Sequence, residues 1–192
     1  IELIINPVAR VNAIADFAIC SGENTNIDLT SSVVGTTAVT YQWTATVSVV
    51  PSGGLITGQA SDLTRTKTEI NQTLINSGTS TGEVTYTITP YIGGCAGTPE
   101  VVKVTVNPSG QVNSIDDQVL CVGSSTTAIT FGTLNTGGTT TYSWTNDTPS
   151  IGLAASSTGN ATGITSFTAL NTGTSPVTAT IRVIPTYSNG GV

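Results

Sequence analysis

The chain has 192 residues and a formal charge of −6, from 5 Lys plus Arg against 11 Asp plus Glu, and it contains no His. Such a surface repels phosphate backbones and anionic bilayers, which argues against nucleic-acid binding and membrane-surface docking. The missing imidazole removes Ser-His-Asp and Cys-His catalysis. Charged residues make up only 8%, so Thr, about a fifth of the chain, must carry much of the solubility. No apolar stretch reaches the ~18 residues of a membrane helix.

In chain order, residues 1–7 (Ile-Glu-Leu-Ile-Ile-Asn-Pro) read as a strand. Strands are then expected near 9–14, 25–30, 39–47, 55–60, 69–75, 83–91 and 100–106. The signal is period-two alternation, as in Thr40–Val47, in Val84, Tyr86 and Ile88 against Thr85, Thr87 and Thr89, and in Val102, Val104 and Val106. Glycine-rich turns separate the runs, among them Ser52-Gly53-Gly54, Ser77-Gly78 and Gly93-Gly94. No helix-length stretch shows 3.6-residue periodicity. Short alternating strands with such turns imply an all-β, antiparallel sandwich.

The pattern then recurs. An offset of 101 residues carries Asn6-Pro7 onto Asn107-Pro108, Cys20 onto Cys121, Tyr41 onto Tyr142 and Trp43 onto Trp144. Later the offset becomes 95, and Ile75-Asn76-Ser77-Gly78-Thr79-Ser80 matches Leu170-Asn171-Thr172-Gly173-Thr174-Ser175. A period of about one domain implies tandem sandwiches and not a solenoid. The expected division is 1–7 as the last strand of a preceding repeat, 8–108 as the first repeat and 109–192 as the second, which lacks its own last strand. With no Met and no leader, the chain is expected to be an internal piece of a longer product. Trp43 and Trp144 are expected at the centre of their cores rather than as sugar-stacking platforms.

The three Cys suggest a Cys20–Cys95 disulfide in the first repeat, with Cys121 pairing beyond Val192; the alternative is three buried free thiols. No zinc site is expected without His or a close Cys pair. No catalytic carboxylate pair can be nominated, so no enzyme activity and no cofactor are expected. Asp16, Asp116 and Asp117, near the repeat junction, are the weak candidates for a calcium ion, but they lack the spacing of a calcium loop. Asn71-Gln72-Thr73, Asn146-Asp147-Thr148 and Asn160-Ala161-Thr162 match the N-glycosylation triplet, as chance allows in a Thr-rich chain.

The phrases Ala18-Ile19-Cys20-Ser21-Gly22-Glu23, Tyr41-Gln42-Trp43-Thr44, Val84-Thr85-Tyr86-Thr87-Ile88-Thr89-Pro90, Gly94-Cys95-Ala96-Gly97-Thr98-Pro99 and Val104-Thr105-Val106-Asn107-Pro108 resemble the PKD-like, immunoglobulin-type repeats of giant Bacteroidota surface adhesins, including those of gliding cells. The resemblance covers about one and three-quarter repeats. It implies immunoglobulin-like sandwiches, export through the type IX system and display at the cell surface within a long filament. The second repeat departs from the pattern in lacking the last strand and the second Cys.

Three functions compete on this basis. The leading one is a non-catalytic stalk whose partners are neighbouring repeats, with any surface or glycan ligand elsewhere in the full protein. A polysaccharide- or protein-binding module is the second, with Tyr91, Tyr187 and Phe167 as its candidate exposed aromatics. The third is a filament subunit in which strand 1–7 completes the second repeat of the next molecule.

Overall fold

The computed structural model describes residues 1–35, 37–157 and 160–189. They fall into two compact units, Ile1–Ser109 and Gly110–Asn189. The strands of the first unit are β1 (Phe17–Cys20), β2 (Ile27–Asp28), β3 (Thr40–Val49), β4 (Ile56–Thr57), β5 (Glu69–Ile70), β6 (Ile75–Asn76), β7 (Gly82–Ile92), β8 (Cys95–Ala96) and β9 (Glu100–Asn107). Those of the second are β10 (Ile129–Thr130), β11 (Thr139–Asn146), β12 (Gly163–Ile164) and β13 (Ile181–Ser188), with a 3-10 turn at Pro149–Ile151.

In the first unit β1, β9, β7 and β3 lie side by side in that order, and β8 also pairs with β7. The opposite layer consists of the short pairs β2–β5 and β4–β6. The alternation read from the sequence is what separates the two faces. Along β7 every second residue is buried, and Val84, Tyr86 and Ile88 are fully buried, as are Val102, Val104 and Val106 of β9. Ile27, Leu29, Ile56, Ile70 and Leu74 meet them from the other layer. Thr is favoured on the outer positions because its branched side chain suits a pleated surface and its hydroxyl stays wet.

Five of the expected strands fare differently. The run at 9–14 forms no strand; Val11 and Ile14 pack against the core from an extended segment, held by the Asn12 N–H donating to the Thr30 carbonyl at 2.9 Å. Strand pairing begins instead at β1, which runs parallel to β9, with Phe17 opposite Val104 and Cys20 opposite Asn107. The runs at 25–30, 55–60 and 69–75 are reduced to two-residue ladders. There the chain turns through tight loops, such as Gly58 at φ 96°, where a side chain would strike the Thr73 carbonyl. Residues 1–7 lie in no strand, and Ile1, Leu3, Ile4 and Ile5 are exposed.

The second unit repeats the central pairing of the first. Tyr41 faces Pro90 and Trp43 faces Ile88 across β3 and β7; Tyr142 faces Pro185 and Trp144 faces Val183 across β11 and β13. Its core is smaller. Phe131, Trp144 and Ile164 are buried, and the Phe131 and Tyr142 rings meet at 5.4 Å between centroids. Ala179, Ile181 and Val183 match the fully buried Val84, Tyr86 and Ile88 but are only half-buried.

Candidate functional site

The residues proposed for chemistry are dispersed or occupied in holding the fold. Asp16 accepts the Lys103 backbone N–H at 2.8 Å, fastening the entry of β1 to β9. Asp116 and Asp117 are exposed. Among the described residues no three His, Cys, Asp or Glu side chains converge as metal ligands would.

The Cys20–Cys95 disulfide is not formed, and the sheet explains why. All three cysteines are free thiols. Cys20 stands opposite Asn107, next to the pair of Val106 with Gly82 at the start of β7, whereas Cys95 stands opposite Ile92 at the far end of that strand. Roughly ten residues of β-strand separate those ends, about 30 Å, and a disulfide requires Cα atoms within about 7 Å. Sequence position alone could not reveal which end of the sheet each cysteine occupies. Cys121, the counterpart of Cys20, is an exposed thiol.

Trp43 is 2% exposed and Trp144 is 8% exposed, so neither ring is presented to solvent. The Trp43 indole N–H donates to the Ala60 carbonyl at 3.0 Å. The three candidate platforms are committed as well. Tyr91 is covered by the Arg65 guanidinium 3.5 Å from its ring centroid, Tyr187 is buried with its hydroxyl on the Thr136 carbonyl, and Phe167 packs on the second core. Of the glycosylation triplets, Asn146 is closed to modification: it is 5% exposed and its amide donates to the Leu153 and Ala154 carbonyls.

One polar cluster that the sequence reading missed lies against the outside of β3. Trp43 and Asp62 exchange both backbone hydrogen bonds, at 2.8 and 2.9 Å, adding a bridge beside the strand. The Asp62 carboxylate accepts the Thr64 hydroxyl at 2.6 Å and its N–H at 2.8 Å, and pairs with Lys67 at 3.0 Å. These donors, Thr64 foremost, hold its pKa down to about 2. Arg65 takes the left-handed conformation at φ 61°, which sends its side chain over Tyr91 and onto Gln42 at 3.2 Å. The Asp-x-Thr spacing of a local side-chain turn was the available signal. Two shallow grooves, of about 580 and 370 Å³, border Gly22–Asn26 and the Lys67–Gln72 segment. Neither gathers a nucleophile with a base, so the chemistry they offer is hydrogen bonding only.

A model of the PKD-like domain family matches residues 17–110. The first repeat is thus a PKD-like, immunoglobulin-type β-sandwich, a class typical of extracellular structural and adhesive modules. No curated protein matches the chain. Among the described residues no helix is long and apolar enough to cross a membrane.

Proposed function

We propose that the chain is a non-catalytic structural segment of a long secreted cell-surface adhesin or filament, a stalk that displays a distal adhesive region. Its partners are the neighbouring repeats of the same chain or filament, and the resemblance to Bacteroidota adhesins favours export through the type IX system. The observation that carries this reading is the shared register of the two units, Trp43 on Ile88 and Trp144 on Val183. Two copies of one core pairing, joined without an intervening glycine- or serine-rich tract, favour a repeated spacer over a pair of specialised domains. The commitment of Tyr91, Tyr187 and Phe167 to internal contacts also weighs against a glycan-binding face, since sugar stacking needs an open aromatic surface.

Antibodies raised against the chain test the proposal on intact cells. Surface labelling that is lost after protease shaving, with an immunoreactive band far above 19.4 kDa, is the expected result. Labelling only after cell lysis would overturn it.

A further inference from the structure

Of the three glycosylation triplets, the fold presents one as an acceptor. Glu69-Ile70-Asn71-Gln72-Thr73 runs out of β5 in extended alternation. Ile70 and Leu74 are fully buried in the core, which leaves Glu69, Asn71 and Thr73 on the opposite face, and all three are exposed. The Asn71 amide is engaged in no hydrogen bond among the described residues. It borders, with Lys67 and Glu69, the shallow groove beside this segment, so its nitrogen is open to approach from solvent. The Thr73 hydroxyl donates to Asn24 Oδ1 at 2.6 Å, and its oxygen still has lone pairs to accept a bond. Glu69 is unpaired, because its neighbour Lys67 pairs instead with Asp62 at 3.0 Å.

The other two triplets differ. Asn146 is buried with its amide committed to backbone carbonyls, and Trp144 stands two residues before it. Asn160 has Thr158 at that spacing. Only Asn71 has a carboxylate there, and alternation puts that carboxylate on the acceptor's own face. We propose that Asn71 is an N-glycosylation site, modified after the sandwich has folded. The sugar donor is an oligosaccharide linked through its C1 to a polyprenyl diphosphate. A bond forms between Asn71 Nδ2 and C1, the bond from C1 to the diphosphate oxygen breaks, and the amide proton passes to a base of the transferring enzyme. Thr73 supplies the hydroxyl contact of the triplet, and Glu69 offers a charge that a basic pocket of that enzyme can hold. A glycan also suits a chain with only 8% charged residues, since it adds hydration at the surface. This inference rests on the export proposed above.

The test is mass spectrometry of protein recovered from the cell surface and digested with trypsin. The expected result is a sugar mass on the peptide Thr68–Lys103, placed on Asn71 by fragmentation. In the same cells Asn71→Gln and Thr73→Val are expected to abolish it, and Thr73→Ser to retain it. Glu69→Gln is expected to lower the occupied fraction about tenfold, the loss of one charge-assisted contact. A bare Asn71 on surface-exposed protein overturns the proposal and leaves the display reading standing. So does sugar on this peptide that persists in Asn71→Gln, or occupancy unchanged by Thr73→Val. Protein found only inside the cell overturns the display reading, and this inference with it.

Discussion

The side-chain amide of Asn76 donates a 2.8 Å hydrogen bond to the carbonyl oxygen of Val106, tying the turn before β7 to the last strand of its own sandwich. The same side chain donates to the Ser80 carbonyl and accepts the Gly78 N–H. Its counterpart Asn171 makes the two turn bonds, to Ser175 and Gly173, in a less buried setting. Removing a buried partner leaves the other group unsatisfied, at about 1–3 kcal/mol. Asn76→Ala should therefore lower the stability of the first unit by about 2–3 kcal/mol, while Asn171→Ala costs the second unit roughly 1 kcal/mol or less. Thermal melts read by the single tryptophan of each unit distinguish the two.

The two tryptophans provide the second prediction. Trp43 sits in a core closed on both sides, whereas Trp144 sits in one that Ile181 and Val183 only partly cover. Trp43→Ala should cost about 3–5 kcal/mol, a large share of a small domain's stability. Trp144→Ala should cost less, because a site with more exposed neighbours collapses more easily around the lost volume. Urea titrations of the two variants followed by far-ultraviolet circular dichroism measure the loss, with the remaining tryptophan reporting that the other unit is unchanged.

Asp62 contributes to the pH dependence of the first unit at the acid end, and Tyr86, together with Tyr41 whose pKa burial also raises, at the alkaline end. Asp62 has its pKa lowered from 3.8 to about 2, so its contribution is present above about 4 and is lost as the pH falls through 2. Tyr86 has its pKa raised from 10.0 to about 12 by burial, so its contribution is present below 10 and is lost as the pH rises towards 12. Asp62→Asn should flatten the acid limb of stability against pH and leave the alkaline limb in place. Tyr86→Phe should do the reverse, although it also removes the 2.9 Å bond from the phenol to Gln72.

Alkylation without reductant should label Cys20, Cys95 and Cys121, and peptide mapping should yield no fragment joining Cys20 to Cys95. Cys95 and Cys121, both exposed, should react faster than the half-buried Cys20.

What the sequence made legible was the long-range pattern. Alternation located the central strands β3, β7 and β9 to within a few residues, because a half-buried strand repeats every two positions. The offsets matched Trp144 to Trp43 before any pairing was known, and both stand at the same place in their sheets. The cysteines failed for the opposite reason: their ends of the sheet depend on register, and a residue's number carries no register. Val11 and Ile14 carry apolar side chains to the core yet lie outside any strand, since pairing also needs a free edge, and β9 gives its edge to β1. The Asp62 and Asn76 networks are built from short polar side chains meeting backbone groups, which leave no periodic trace.

The parallel alignment of β1 with β9 also governs how the first sandwich would bear a load. Tension applied at its two ends draws these neighbouring strands in opposite directions along their length, so the bonds between Phe17–Cys20 and Val104–Asn107 are strained together in shear. A hairpin edge pulled from a single end would instead unzip, its bonds breaking in succession. Forced opening is governed by the unfolding rate rather than by equilibrium stability. A module of modest size can therefore hold against a pull that its overall free energy of folding alone would not suggest.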